Sequence, residues 1–137
     1  MNKTFLDTSF VIALINDKDQ YYKQAQRLSP IYIRDFLVTT DAVLLEIGNA
    51  LAKDFRAEAV EIIKILRNSN KTEVVKIDSD LFEKGLEIYE KHRDKNWGLV
   101  DCISFVVMKE HKITDALTGD KHFAQAGFRA LMFDSLD

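Results

Sequence analysis

Along this chain, short apolar runs alternate with stretches whose apolar residues recur every three to four positions, so strand and helix signals take turns from end to end. Thr4, Phe5 and Leu6 form a short, partly β-branched run that predicts a strand. Residues 10–15 are too apolar to be exposed and predict a helix, with Thr8 or Ser9 as its N-cap. After a polar break at 17–20, Tyr21, Ala25, Leu28 and Tyr32 fall at helical spacing, with Pro30 ending or kinking the helix. Residues 36–39 predict a second strand. Thr40 or Asp41 then caps a helix whose buried stripe is Val43, Leu44, Ile47 and Leu51.

The second half repeats the alternation. A helix over 57–67 turns Val60, Ile63, Ile65 and Leu66 inward, and a strand follows over 73–77. Asp78-Ser79-Asp80 opens a helix carrying Leu81, Phe82, Leu86 and Tyr89 on its apolar side. Residues 91–96 are a charged connection. Residues 99–111 are apolar nearly all round, the mark of a buried helix. Residues 116–118 predict a very short strand, Gly119 a turn, and 128–133 a last strand. Strands alternating with helices imply an α/β fold with a mainly parallel central sheet covered on both faces.

Composition narrows the class. The 137 residues suit one domain spanning 1–137, and 47% hydrophobic with 30% charged residues describe an ordinary globular chain. A net charge of −3 gives no overall basic signal, so any contact with nucleic acid has to come from local patches. The single cysteine, Cys102, excludes an intramolecular disulfide and a cysteine-rich zinc site, and its apolar neighbours make it a buried, inert thiol. The run at 10–15 is too short for a signal peptide and is followed by polar Asn16-Asp17-Lys18. No stretch approaches the roughly 20 apolar residues of a membrane span. The expectation is a cytoplasmic protein without a membrane partner.

The chemistry lies in the acids. Asp7 and Asp120 each follow a predicted strand, so in a parallel sheet both emerge at the carboxyl edge, where ligands bind. Asp115 precedes its strand and belongs to the opposite edge. Glu46 and Asp101 sit on helices that begin at, or return to, the carboxyl edge, and Asn49 is a helical neighbour of Glu46. Read singly, each acid has a plain explanation: a cap for Asp7, a helix start for Asp101, a solvated face for Glu46, a turn for Asp120. Jointly those explanations do not account for a shared edge. Four carboxylates in one pocket repel unless some hold protons or a divalent cation neutralises them, and all-oxygen ligands suit Mg²⁺ or Mn²⁺. Such a cation can activate water and neutralise a phosphoryl group, which makes hydrolysis of a nucleic-acid backbone the natural match. Asp41, Asp78, Asp80 and Asp115 read as caps or surface acids.

Asp7-Thr8-Ser9, Glu46 with Asn49, Leu99-Val100-Asp101-Cys102-Ile103-Ser104-Phe105, and Leu117-Thr118-Gly119-Asp120-Lys121-His122-Phe123 resemble, in order and over essentially the whole chain, the motifs of PIN-domain ribonucleases. The VapC class of toxins from type II toxin–antitoxin systems is the nearest pattern. The resemblance implies a three-layer α/β/α sandwich and a Mg²⁺- or Mn²⁺-dependent endoribonuclease. Asp7 and Asp101 would be the main metal ligands, Glu46 and Asp120 would complete or orient the site, and Thr8, Ser9 and Asn49 would hold the ligating acids in place. It also implies an RNA substrate, a cognate antitoxin protein whose Arg enters the acidic pocket, and a homodimer, for which Tyr21, Tyr22 and Ala25 offer a candidate face. Gly119 is a departure, because many relatives carry a larger residue there.

Other functions are weighed against this one. A phosphatase of the haloacid dehalogenase type needs a second Asp where Ser9 stands. A glycosidase would bring aromatic sugar platforms that are not evident. A non-catalytic PIN-like RNA-binding domain tends to lose ligand acids, and a housekeeping RNA-processing nuclease would lack an antitoxin. Lys91, Arg93 and Lys95 are candidates for phosphate contacts but read first as a solvated loop, and Trp97 as a core anchor. His92, His111 and His122 are scattered and receive no catalytic role.

Overall fold

The structure, a computed structural model, describes residues 2–32 and 35–134. Its centre is a five-stranded sheet in the order β3-β2-β1-β4-β5, with every neighbouring pair parallel. The strands are β1 (Lys3–Leu6), β2 (Phe36–Thr40), β3 (Thr72–Val75), β4 (Asp115–Leu117) and β5 (Arg129–Ala130). The helices are α1 (Thr8–Ile15), α2 (Tyr22–Tyr32), α3 (Asp41–Ala50), α4 (Arg56–Asn68), α5 (Ser79–Lys91), α6 (Leu99–Glu110), α7 (Lys121–Gln125) and α8 (Leu131–Asp134). They pack in two sets, α1 on α2 and α3 with α3 on α4, and α5 on α6 with α6 on α7. The architecture is the expected three-layer α/β/α sandwich.

The central strands are buried on both sides, as a parallel sheet requires, with Phe5, Val38 and Ala116 wholly inaccessible. Cys102 to Met108 of α6 are all buried, which explains why that helix is apolar nearly all round. α5 and α6 approach closely at Gly85, where a Cβ would collide with Ile103 Cγ1 and lie 3.3 Å from the Ile103 Cα. The Cys102 thiol is buried, and desolvation pushes its pKa up to about 11, so it is an inert packing group.

The strand order reverses at β1. The chain steps outward through β2 and β3, then returns to the other side of β1 with β4. β1 and β4 are in register at Phe5–Ala116 and Leu6–Leu117, so the next residue of each, Asp7 and Thr118, leave the sheet side by side. A crevice outside the carboxyl ends at such a switch point is the usual ligand position in open α/β sheets.

Several expectations need correction. Asp7, rather than Thr8 or Ser9, caps α1. Pro30 lies inside α2, which continues to Tyr32. The third strand spans Thr72–Val75 and ends before Ile77. The last strand is only two residues, and residues 131–134 turn into α8 because Met132 N–H bonds back to the Thr118 carbonyl at 3.2 Å. α7 is a helix the sequence pattern does not predict, and Asp120, which reads as a turn residue, caps it through the His122 N–H. Val60, Ile65, Phe82, Leu86 and Tyr89 are substantially exposed, because the two outer helices bury narrower stripes than their apolar content implies. Of the candidate face for self-pairing, Ala25 is fully buried while Tyr21 and Tyr22 are half-buried and reach the surface.

Candidate active site

The carboxyl edge opens into a cleft of about 640 Å³ lined by Asp7, Thr8, Ser9, Ile12, Glu46, Asn49, Ala50, Asp101 and Asp120. All four acids singled out in the sequence, and the three polar residues beside them, face this one cavity. Asp115 is the first residue of β4, at the opposite edge, within 4.0 Å of Arg129.

Asp7 is the deepest of the four and only 6% exposed. Its Oδ2 accepts from Thr118 Oγ1 at 2.7 Å and Ser9 Oγ at 2.9 Å, besides capping α1 through the Ser9 N–H at 3.4 Å. Burial nevertheless raises its pKa from 3.8 to about 6, against the hydroxyl bonds that lower it, and the charges of Asp101 and Asp120 push the same way. The cap explanation is therefore true of Asp7 and incomplete, since a cap exposed to water would not carry this cost.

Glu46 points into the cleft from α3, and its Oε1 accepts from Thr8 Oγ1 at 2.8 Å. Desolvation raises its pKa, with repulsion from Asp101 and Asp120 adding to the effect. Asp101 lies in the first turn of α6, where its Oδ2 accepts from the Gly98 N–H at 3.1 Å. Its pKa is raised by burial, while the bond from His122 pulls it down. Asp120 sits after β4 with its Oδ1 2.9 Å from the His122 N–H, and its own N–H donates to Thr118 Oγ1 at 3.0 Å. Ser9 ties the two strand ends together, because its hydroxyl also accepts from the Gly119 N–H at 3.1 Å. Asn49 lines the cleft one helical step from Glu46.

Two residues of the last motif, Thr118 and His122, the latter next to the predicted site, take roles that the sequence does not assign them. Thr118 was read only as a strand end, but its hydroxyl serves Asp7 and the Asp120 backbone together. His122 was set aside, yet its Nδ1 lies 3.0 Å from Asp101 Oδ2 and 3.2 Å from Asp120 Oδ1. Trp97 is the expected core anchor, with its Nε1–H donated to Gln125 Oε1 at 3.0 Å.

The donor set fits a divalent cation. The cleft lining carries four carboxylates and no Lys or Arg among the described residues, and its hydroxyl donors hold the acids without neutralising them. Asp101, Asp120 and His122 each bring one ligand atom within 4.8 Å of the others, close enough to share an ion.

With fold and site in view, the family follows: the chain belongs to the PIN domain family, whose family model matches residues 4–129. The chain is 31% identical over 128 residues to the 23S rRNA-specific endonuclease VapC20 of Mycobacterium tuberculosis, in both strain CDC 1551 / Oshkosh and strain H37Rv. That alignment covers 90% of this chain and 94% of the relative. The crystal structure of Mycobacterium tuberculosis VapC20, described as a sarcin–ricin loop cleaving toxin, superposes with a TM-score of 0.83 at 30% identity, covering 91% of this chain and 95% of that one. Among the described residues, no helix is long and apolar enough to cross a membrane.

Proposed function

We propose that this chain is a divalent-cation-dependent endoribonuclease, the toxin of a type II toxin–antitoxin pair acting in the cytoplasm. The observation that carries the reading is the convergence of Asp7, Glu46, Asp101 and Asp120 on one cleft at the sheet's switch point, with burial and mutual repulsion raising three of their pKa values. A non-catalytic domain has no reason to keep so unfavourable a cluster.

Asp7 and Asp101 would hold Mg²⁺ or Mn²⁺, and Glu46 and Asp120 would complete the site. When bound, the cation supplies charge neutralisation and Lewis-acid polarisation for in-line hydrolysis of a phosphodiester. The chain's own contribution is placement. Thr118 and Ser9 fix the Asp7 carboxylate, Thr8 fixes Glu46, and His122 holds Asp101 and Asp120 at a set separation. The 23S rRNA specificity of the Mycobacterium tuberculosis relative makes 23S rRNA the first substrate to try. An acidic cleft of this kind also suits an antitoxin that inserts an Arg to pair with the carboxylates. Self-pairing as a homodimer would have the half-buried Tyr21 and Tyr22 as its candidate face, Ala25 being buried.

The test is RNA cleavage with purified protein in EDTA, then with Mg²⁺ or Mn²⁺ restored, with Asp7→Asn and Asp101→Asn alongside. Cleavage should need the cation, vanish in both variants and leave 5′-phosphate and 3′-hydroxyl ends. Cleavage that survives thorough chelation, or 2′,3′-cyclic phosphate products, would overturn the mechanism. Growth arrest on induction, relieved by Asp7→Asn and by a co-expressed neighbouring reading frame, tests the toxin assignment separately.

A further inference from the structure

The turn that carries Asp120 is clamped from two sides. On one side the Gly119 N–H donates to Ser9 Oγ at 3.1 Å, and Thr118 is anchored to Asp7. On the other stands the ring of Tyr21, from the segment between α1 and α2. A Cβ built on Gly119 would lie 2.8 Å from both Cδ2 and Cε2 of that ring, closer than real Cβ atoms come, and 3.0 Å from Met132 Cε, a tight contact that a small shift relieves. The need for glycine here is one of space. Gly127 is the only described glycine with a left-handed φ, so the backbone at 119 would accept alanine if the ring were elsewhere and the Met132 methyl gave way by a few tenths of an ångström.

The ring cannot simply retreat. It meets Phe133 edge-on, with centroids 5.9 Å apart and planes at 84°, and it packs against the core. Its backbone is held at both ends: the Tyr21 N–H donates to Asp19 Oδ1 at 2.9 Å and the Tyr21 carbonyl accepts from the Ala25 N–H at 2.9 Å. α8, which supplies Met132 and Phe133, is itself tied to the Thr118 carbonyl. The turn therefore has little freedom to move, and Asp120 reaches His122 and the cleft from a predetermined height.

We propose that Tyr21 is a positioning residue for the acidic site: contact of its ring with Gly119 sets where the turn delivers Asp120 relative to Asp101 and His122. This rests on the nuclease reading above. Tyr21 touches neither substrate nor cation in this role, and its hydroxyl plays no part.

A double-mutant cycle separates positioning from plain packing. Gly119→Ala should lower Mn²⁺ affinity, read by calorimetry, and kcat for RNA cleavage by about tenfold each, with KM for RNA much less affected. Tyr21→Ala should lose less, and Tyr21→Phe should match wild type. The combined Gly119→Ala/Tyr21→Ala protein should recover at least about threefold over Gly119→Ala alone, because removing the ring makes room for the new methyl. Folding is checked by circular dichroism. If Gly119→Ala fails to fold, a double variant that folds shows packing alone, and Tyr21→Ala decides through its Mn²⁺ affinity and kcat. If neither folds, Tyr21→Ala alone decides, and unchanged Mn²⁺ affinity and kcat overturn the proposal. So does a double variant that loses the product of the two single losses. A wild-type protein that binds Mn²⁺ and cuts RNA while the cycle shows no coupling refutes only the role of Tyr21; one that does neither refutes the nuclease reading and this inference with it.

Discussion

Replacing Asp7 by Asn should abolish cleavage and yet make the cation-free protein more stable at neutral pH. The magnitude follows from burial. A carboxyl that ionises near 3.8 in the unfolded chain and near 6 in the fold costs about 3 kcal/mol by pH 7.5, at about 1.4 kcal/mol per tenfold. Because the folded value is the higher one, the cost is absent below about pH 4, grows as pH rises towards 6, and is flat above. Asn removes the charge, and its carbonyl can still accept from the Thr118 and Ser9 hydroxyls. Its NH₂ then needs an acceptor the pocket was not built to offer, which offsets about 1–2 kcal/mol. The net gain is about 1–2 kcal/mol at pH 7.5, roughly 3–8 °C in Tm for a chain of this size. Thermal melts in EDTA at pH 7.5 and at pH 4.5 provide the assay, repeated at pH 7.5 with Mn²⁺. The Asn variant should melt higher at pH 7.5, lose that advantage at pH 4.5, and fail to gain the Mn²⁺ stabilisation that wild type shows. A variant that melts lower than wild type at pH 7.5, or a gap that does not narrow on acidification, would refute the electrostatic account of this site.

Thr8→Val keeps the shape but removes the donor that holds Glu46, so kcat should fall by about tenfold or more in the cleavage assay while the melt is little changed. Gly85→Ala places a methyl against Ile103 at the α5–α6 contact, and should cost about 1–3 kcal/mol in denaturant unfolding even though alanine favours the helix itself. Asp115→Asn, at the far edge of the sheet, should leave cleavage at the wild-type rate and stability within about 0.5 kcal/mol.

How legible the chain was depends on what each feature needs in order to show. The parallel sheet and the placement of acids at its carboxyl edge follow from strand–helix alternation, because direction is shared by all strands and an acid directly after a strand can emerge only at one end. Asp7, Asp120 and the exclusion of Asp115 were readable for that reason. α7 and α8 were not, since five and four residues are too few to display a helical period, and residues 128–133 look like a strand by composition alone. Exposure of Phe82, Leu86 and Tyr89 was hidden because spacing gives the apolar side of a helix but not how much of it the neighbouring layer covers. The roles of Thr118 and His122, both inside the last motif, are hidden for a different reason. Their importance lies in partners 111 and 21 residues away, and only the closed fold brings those together.

The choice of supporting groups explains why the site can work as a cation site at all. Had Lys or Arg faced the cleft, the four acids would form ion pairs, their pKa values would fall and a cation would have to displace a covalently tethered competitor. Instead the sequence surrounds them with hydroxyls from Thr8, Ser9 and Thr118 and a single imidazole. Hydroxyl donors fix the direction of a carboxylate while leaving its charge in place, so geometry is organised before neutralisation arrives. The values of Asp7, Glu46 and Asp101 are raised by burial first and by repulsion among the acids second, so their charges stay costly. That residual cost is borne by the rest of the fold, above all by the buried β1–β4 pair and the apolar α6 on which the acids stand. The same deficit makes the cleft receptive to any positive group that fits it, whether a divalent cation or a partner's guanidinium. Under the proposed function, activation and silencing then become two ways of satisfying one electrostatic demand, and they exclude each other because both need the same carboxylates.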